Sequence, residues 1–299
     1  MNPHDSPVSR VLRDNPHVSL AYVDHQSNPP TLHITTEPTA QKNALALPDE
    51  LQHHRLSIHI SEPLKILIAH PGYETTPLNG HQHCQDPPIQ LGCQVQPENA
   101  NWVGTAGCPA RWTNHGHDNW GFLTNWHVAA AGDKRVGRLI YQPDTSRPPI
   151  ATLDTWKDVD PDRPNLIDAA LCNSMLSEFH STSELILEIG KPRYPFVDAQ
   201  IGHNAIKSGR TTGLTRGRCV AVGASARVGY GSFTAQFDDQ DVYEGNAGSF
   251  SAAGDSGSLI LHADTLKPTS LLFAGGGGTT IGNPIRHVAQ ALLLRFPFP

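Results

Sequence analysis

Three short segments carry residues that can do covalent chemistry, and they occur in the order histidine, aspartate, serine. His127 follows an apolar run, Asp168 stands alone among apolar neighbours, and Ser256 lies between two glycine-containing turns. An unpaired carboxylate is costly to bury, so Asp168 predicts a fixed partner inside the fold. Serine becomes an effective nucleophile when a histidine accepts its proton, and a carboxylate can orient that histidine. The three segments together predict nucleophilic catalysis by Ser256.

The chain order of the three residues narrows the class of enzyme. Histidine, aspartate and serine follow one another in this order in chymotrypsin-type enzymes, whereas subtilisins and α/β-hydrolases use other orders. Four rival aspartates occupy a polar, Pro-containing stretch that is typical of a solvated loop: Asp154, Asp158, Asp160 and Asp162. We therefore assign the orienting role to Asp168.

The elements that must position these segments are predicted to be short strands rather than helices. The chain of 299 residues contains 26 Gly and 25 Pro, which favours many strands joined by turns and argues against a helix bundle. From Ile89 onward, strand-like segments and glycine turns alternate almost throughout. A helix is expected within 284–295, where Ile285, Val288 and Leu292 recur at helical spacing.

The first part of the chain differs from the rest and predicts a small α+β module. Its apolar stretches, several of them with period-two alternation, predict half-buried strands at 18–23, 32–34, 56–60 and 64–69. We expect a short helix within 37–54 and a loose, polar lead-in at 1–17. Residues 71–88 are dense in turn formers and predict a linker. The domain boundaries are therefore placed at 1–88 and 89–299.

Five segments together resemble the trypsin- and chymotrypsin-like serine proteases. Gly254-Asp255-Ser256-Gly257-Ser258 matches the nucleophile motif of that family, and the segments around His127 and Asp168 match its other two motifs. The segment 207–217 is similar to the Gly-x-Thr-Thr-Gly strand of microbial members, and 271–276 to the strand that pairs with substrate. The whole pattern is most similar to the intracellular trypsin-like proteins typified by the plant Narrow-leaf protein.

The resemblance implies a chymotrypsin-like double antiparallel β-barrel with a C-terminal helix over 89–299. It also implies that Ser256 attacks the scissile carbonyl, that His127 acts as general base and then general acid, and that Asp168 orients His127. The backbone N–H groups of Gly254 and Ser256 would form the oxyanion hole. Substrate would bind as an added strand along the backbone of four residues: Phe273, Ala274, Gly275 and Gly276.

Two positions depart from the pattern of secreted trypsins. Phe250 stands six residues before the nucleophile, where trypsin has its specificity acid, so it predicts a small or apolar substrate preference instead of a basic one. In secreted trypsins a newly formed N-terminus pairs with the aspartate that precedes the nucleophile. Here a long segment precedes the barrel, so we expect Asp255 to have another partner or to stay solvated. Control of activity would then rest on oligomerisation, an inhibitory partner or the N-terminal module.

Composition excludes several other classes of function. The net charge is −6 and no long basic block is present, which argues against nucleic-acid binding. The longest apolar runs are far shorter than the roughly 20 residues of a membrane span. Five irregularly spaced cysteines and an N-terminus without signal-peptide features predict free thiols and a cytoplasmic location. The expected partners are a protein or peptide substrate and a regulatory partner or second copy of the chain.

Alternative functions remain open at this point. His81, His83, Cys84 and Cys93 offer zinc ligands, but their spacing matches no strong zinc motif, so we predict neither a metal nor another cofactor. One alternative is a non-proteolytic binding or regulatory module that keeps the protease fold. The other is an esterase-like hydrolase that uses the same serine.

Overall fold

Strands in two sheets are the predominant secondary structure of the chain, as the composition predicts. The computed structural model describes residues 3–38, 45–70, 80–82, 89–114, 116–175 and 184–295. The strands are β1 (Val18–Asp24), β2 (Thr31–Thr36), β3 (Arg55–Ile60), β4 (Lys65–Ile66), β5 (Gln94–Pro97), β6 (Gly104–Thr105), β7 (Cys108–Asn114), β8 (His117–Thr124), β9 (Leu139–Tyr141), β10 (Pro149–Lys157), β11 (Ala169–Ser174), β12 (Asn204–Gly209), β13 (Gly213–Gly229), β14 (Thr234–Gly245), β15 (Leu259–His262), β16 (Pro268–Gly276) and β17 (Thr279–Pro284). The α-helices are α1 (Pro7–Asp14), α2 (Trp126–Ala129) and α3 (Ile285–Ala291).

The first sheet contains the strands that lead to His127 and away from Asp168. Its seven strands run in the order β6-β5-β9-β10-β11-β8-β7 and pair antiparallel. Strands β8 and β11 are neighbours, with Thr124 opposite Ala170. The end of β8 and the start of β11 therefore lie next to each other at the same end of the strands.

The second sheet closes on itself and continues into the N-terminal segment. Strands β12, β15, β16, β17, β14 and β13 follow one another, and β13 pairs again with β12, which completes a barrel. Strand β1 pairs with β13, with Leu20 opposite Ala226, and β2 and β3 extend the sheet beyond it. Strand β4 pairs with both β13 and β16.

One large buried cluster includes side chains from both sheets. Phe122 and Leu171 belong to the first sheet, whereas Phe237 and Phe273 belong to the second, and all four are fully buried. The N-terminal segment has a smaller core of its own, which contains buried side chains of α1, β1 and β2, and α1 contacts β1 and β13. Because β1 is hydrogen-bonded to β13, the predicted N-terminal module shares its sheet with the second barrel.

The predicted lead-in at 1–17 is wrong, because Pro7–Asp14 forms helix α1. Ser6 caps this helix, and its hydroxyl oxygen accepts a hydrogen bond from the Ser9 backbone N–H at 3.1 Å. Pro7 stands at the start of the helix, where its missing N–H costs nothing. Val11 and Leu12 are completely buried and Val8 packs against the same cluster, so three apolar side chains at helical spacing anchor the helix by one face.

The remaining expectations for the N-terminal segment have mixed outcomes. The four predicted strands are present, but the fourth is limited to Lys65–Ile66. Within 37–54 the short helix expected there is a 3-10 helix at Asp49–Leu51, and residues 39–44 lie outside the described residues. Most of the predicted linker, 71–79 and 83–88, also lies outside the described residues.

The C-terminal helix predicted within 284–295 is confirmed as α3. No helix of the described ranges is both long enough and apolar enough to cross a membrane. The four described cysteines are buried free thiols: Cys93, Cys108, Cys172 and Cys219. Burial raises the pKa of the Cys93 thiol to about 12, which makes it a poor nucleophile. Cys84 lies outside the described residues.

Candidate active site

His127 and Asp168 meet because strands β8 and β11 pair. Strand β8 ends at Thr124, and the one-turn helix α2 then carries His127 towards the start of β11. The Nδ1 atom of His127 lies 2.6 Å from Oδ2 of Asp168, and the His127 backbone N–H donates to Oδ1 at 3.1 Å. Both side chains are buried. The two contacts fix the position of the ring relative to the carboxylate.

Asp168 has a further partner that the sequence did not predict. The hydroxyl of Tyr230, at the end of β13, donates to Oδ2 of Asp168 at 2.6 Å. Burial and the nearby Asp168 charge raise the pKa of Tyr230 well above its usual value, so it stays a hydrogen-bond donor. The Asp168 backbone is also held, because its N–H donates to Asn283 Oδ1 and its carbonyl accepts from Asn125 Nδ2. Residues from both sheets thus contribute to the position of this carboxylate.

The loop that carries Ser256 requires glycine on both sides of the Asp-Ser pair. Gly254 has a φ of +103°, and a Cβ atom there would lie 2.3 Å from Thr211 Oγ1. Gly257 has a φ of +99°, and a Cβ atom there would lie 2.1 Å from the Thr105 carbonyl oxygen. Other residues rarely adopt these backbone angles and would clash here. The glycines in the motif therefore allow the sharp turn that presents Ser256.

Asp255 is buried behind Ser256 and is paired with Lys207 of β12. The Lys207 Nζ atom lies 3.2 Å from Oδ2 of Asp255, and both side chains are fully buried. Asp255 also accepts hydrogen bonds from the Thr212 hydroxyl at 2.7 Å and from the backbone N–H groups of Thr211 and Ala252. Burial alone raises the pKa of a carboxyl, but the Lys207 charge and these hydrogen bonds outweigh it and hold the pKa of Asp255 below its usual value. Asp255 therefore has another partner, Lys207, and does not stay solvated.

The backbone N–H groups of Gly254 and Ser256 both point at one peptide carbonyl of the chain itself. They donate to the carbonyl oxygen of Leu67, at 2.6 Å from Gly254 N and 3.2 Å from Ser256 N. The Ser256 hydroxyl oxygen accepts from the Leu67 N–H at 3.0 Å and donates its proton to the Phe273 carbonyl at 3.0 Å. The pair of N–H groups predicted as an oxyanion hole thus binds a peptide carbonyl oxygen.

The same segment lies along the strand edge that was predicted to bind substrate. Strand β4 runs antiparallel to β16, with Ile66 opposite Ala274 and Lys65 opposite Gly275. The Leu67 N–H also approaches the Phe273 carbonyl oxygen at 3.3 Å. Residues 65–67 therefore occupy the edge formed by 273–276.

Phe250 lies in an apolar cluster beneath this edge. It is fully buried, and its ring stacks with that of Tyr243 at a centroid distance of 5.9 Å. The cluster also contains Ile260 and Leu272, and the side chain of Leu67 packs against it. An apolar environment of this kind favours apolar side chains and disfavours an unpaired charge.

One contact of the predicted triad is not made. Within the described part of the chain, the Nε2 atom of His127 is buried and has no hydrogen-bond partner, because the Ser256 hydroxyl donates to Phe273. The two segments nevertheless lie side by side. A Cβ atom at Gly104 would be 2.5 Å from the side chain of Val128, next to His127, and 3.0 Å from the Ser256 carbonyl oxygen.

The residues considered for zinc are only partly described. His83 and Cys84 lie outside the described residues. His81 is buried and contacts the Gly92 carbonyl oxygen and the Glu188 carboxylate, each at 2.8 Å. Among the described ranges, no group of three or more histidine, cysteine or acidic side chains is arranged to hold a metal.

Comparison with solved structures identifies the fold. No family model and no curated protein matches the sequence. The structure is similar to that of Cellulomonas bogoriensis chymotrypsin, with 19% identity, a TM-score of 0.50, and coverage of 71% of this chain and 99% of that one. A Nocardiopsis protease matches with 18% identity, a TM-score of 0.50, and coverage of 70% and 99%. A glutamic-acid-specific serine protease matches with 16% identity, a TM-score of 0.50, and coverage of 69% and 98%.

At sequence identities this low, structural similarity establishes the fold alone, and the chemistry has to be argued from the residues of the site. The chain has the chymotrypsin-like fold of two β-barrels with a C-terminal helix, as the sequence predicts.

Proposed function

We propose that the protein is a serine endopeptidase that hydrolyses peptide bonds through an acyl-enzyme on Ser256. One observation carries this proposal. The carbonyl oxygen of Leu67 accepts hydrogen bonds from the N–H groups of Gly254 and Ser256, while β4, which immediately precedes Leu67, pairs with β16. A site that binds a peptide backbone in this way supports peptides as the substrate class.

In the proposed reaction, the Ser256 hydroxyl leaves its hydrogen bond to Phe273 and turns towards His127 Nε2. His127 accepts the proton as Oγ attacks the carbonyl carbon, and the His127–Asp168 contact stabilises the imidazolium. The oxyanion is stabilised by the N–H groups of Gly254 and Ser256. Losing one such donor typically costs about 2.7–4 kcal/mol of transition-state stabilisation. This mechanism requires no cofactor or metal.

The apolar cluster around Phe250 supports a preference for an apolar side chain before the scissile bond. We further propose that the enzyme is a regulated processing protease of the cytoplasm, similar to the Narrow-leaf-type proteins. The buried thiols are compatible with a reducing compartment, and the occupied cleft is compatible with control of access. In this proposal, 89–299 is the protease domain and 1–88 is the module that regulates it.

A fluorophosphonate probe and a peptide library test the proposal. We expect the probe to label the wild type at Ser256, and we expect the library to show cleavage after apolar residues. Ser256→Ala should lose both signals, whereas the exposed-serine control Ser146→Ala should keep both. Hydrolysis of esters without any peptide cleavage would favour the esterase alternative.

The unmade contact between Ser256 and His127 favours one other candidate, a regulatory module that binds peptides without cleaving them. It predicts that no assembly state of the protein reacts with the probe. Binding of peptides by Ser256→Ala and wild type alike, with no labelling of either, would support it over the protease.

A further inference from the structure

We propose that the Leu67–Ile68 peptide bond is a self-cleavage site and that the enzyme's substrates carry leucine, or an apolar residue of similar size, before the scissile bond. This inference rests on the proposed function, because it assigns to the same Ser256 site a substrate within the chain. The backbone around Leu67 is bound as the backbone of a substrate would be.

The chain is held on both sides of the bond. Before it, β4 pairs with β16, and the Leu64 carbonyl oxygen accepts from the Gly229 N–H at 3.0 Å. After it, Ala69 and Val103 exchange two backbone hydrogen bonds, at 3.2 and 2.7 Å. Contacts on both sides fix the carbonyl of Leu67 relative to Ser256. Such positioning removes much of the entropic cost of bringing the reacting groups together.

The environment of the Leu67 side chain supplies the selectivity. It packs against the apolar cluster that contains Phe250. A Cβ atom at Gly275 would lie 3.2 Å from Leu67 Cδ1, so the wall of this site is close to the leucine methyl group. An acidic or basic side chain here would be desolvated without a partner, and a much larger ring would meet the wall. The geometry therefore selects side chains of about the size and polarity of leucine.

Cleavage at this bond would open the cleft rather than order the catalytic loop. Asp255 is already paired with the buried Lys207, so the loop does not need the new amine of Ile68. After cleavage, the N-terminal fragment that ends at Leu67 would stay bound to the rest of the protein. Strand β1 is paired with β13, and the Arg227 guanidinium donates to the backbone carbonyl oxygens of Leu12 and Val18, both at 2.7 Å.

The chemical steps are those of an ordinary acyl transfer. Ser256 Oγ adds to the Leu67 carbonyl carbon as its proton passes to His127 Nε2. The C–N bond to Ile68 then breaks, and the His127 proton leaves with the new Ile68 amine. A water molecule adds to the Leu67–Ser256 ester, and His127 takes one of its protons. The ester bond breaks, Ser256 regains its proton, and Leu67 becomes a carboxylate.

Intact-mass measurement of the purified full-length chain over time tests the proposal. We expect two fragments, one ending at Leu67 and one beginning at Ile68, which stay together under native conditions and separate under denaturing ones. The rate should not depend on protein concentration, because the segment lies in its own cleft. Ser256→Ala should stay intact, and added wild type should not cut it.

Substitutions in the segment test the selectivity. Leu67→Asp should reduce cleavage at this bond at least about a hundredfold, whereas Leu67→Met should retain it. Labelling of Leu67→Asp by the fluorophosphonate probe would exclude a folding defect as the cause. The exposed Glu62→Gln should cleave like the wild type.

Three outcomes would overturn the inference in distinguishable ways. If the wild type reacts with the fluorophosphonate probe and cleaves library peptides but its Leu67–Ile68 bond stays intact, self-cleavage is wrong and the protease function stands. If the wild type shows neither labelling nor cleavage of any peptide, the proposed function itself fails. Cleavage at Leu67 that persists in Ser256→Ala would assign the cut to another protease.

Discussion

The loop that carries Ser256 has two faces, and they differ in what holds them. The rear face consists of Asp255 and its partner Lys207, which are both fully buried within the second barrel. The front face consists of the Gly254 and Ser256 N–H groups, whose partner Leu67 belongs to a partly exposed segment from outside the barrel. The rear face is part of the core of the fold, whereas the front face is occupied by a segment that can leave.

The rear face orders the active site, whereas the front face controls access to it. Breaking one partner of a buried ion pair typically costs about 3–5 kcal/mol, so the rear face stays formed in the folded protein. Residues 65–68 of the front segment are all at least partly exposed, and segments of that kind open at lower cost than the whole domain. We therefore expect that regulation acts on the cleft and leaves the loop unchanged.

The largest effect is expected from removal of the rear cation. Lys207→Met leaves the Asp255 carboxylate buried without its charge partner, which should displace the loop and its oxyanion donors. Since one such donor is worth about 2.7–4 kcal/mol, we expect kcat/KM on peptides to fall at least about a hundredfold. Peptide hydrolysis and thermal unfolding would measure the change.

The matched control is Arg295→Met, which removes the cation of an exposed ion pair with Asp118. Exposed pairs contribute little, so activity and Tm should stay close to those of the wild type. Full activity of Lys207→Met would show that the rear face does not order the loop.

A smaller effect is expected at the histidine side of the site. Tyr230→Phe removes the hydroxyl that donates to Asp168, a charged-group hydrogen bond worth about 1.5–3 kcal/mol. Because Tyr230 is a positioning residue, Tyr230→Phe should lower kcat about tenfold and leave KM unchanged. Asp168 would then hold the protonated imidazole more strongly, so the acid limb of the kcat/KM profile should move to higher pH.

Tyr22→Phe is the control for this substitution, because Tyr22 stacks on His33 in the N-terminal segment. Its pH profile should match that of the wild type. An unshifted acid limb in Tyr230→Phe, together with a lower Tm, would reduce Tyr230 to a packing role.

The last prediction concerns stability instead of activity, and it shows what the Lys207 cation contributes behind the loop by comparison with a buried carboxyl that lacks one. Asp241 is buried in the same barrel and accepts from the Ser270 hydroxyl at 2.6 Å, and burial raises its pKa to about 7. The unfolded chain loses this proton near pH 4 while the folded protein keeps it, so stability should fall as pH rises from about 4 to 7. The loss has an upper bound of about 4 kcal/mol.

Urea unfolding at pH 5, 6, 7 and 8 would measure this dependence. Asp241→Asn should flatten it between pH 5 and 7, whereas the exposed Asp198→Asn should retain it. An unchanged pH dependence in Asp241→Asn would show that this carboxyl is ionised in the folded protein, like Asp255.

The sequence predicts the parts of the site that consist of side chains in local motifs. His127, Asp168 and Ser256 each stand in a recognisable segment, and the strands and helix α3 follow from apolar spacing and turn residues. Lys207 could have been found by the argument used for Asp168, since it is a single charge within a strand of apolar and small residues. The polar composition of 1–17 hid helix α1, although its Ser-Pro start is a helix signal.

The role of Leu67 could not be predicted from the same information. It acts through its backbone carbonyl and N–H, which every residue has, and its partners lie far away along the chain. The stretch 64–69 therefore reads only as a short strand. Tyr230 is similar, because the loop that brings it to Asp168 is positioned by the pairing of β13 and β14.

The most direct test of a preformed site behind an occupied cleft is the rate at which the fluorophosphonate probe labels Ser256 in freshly purified, uncut chains. Leu67→Asp removes an apolar anchor worth about 1.5–3 kcal/mol and leaves the Lys207–Asp255 pair untouched. We expect it to be labelled at least about tenfold faster than uncut wild type. Absence of labelling at Ser256 in both proteins, with the fold intact, would contradict the existence of a preformed catalytic site.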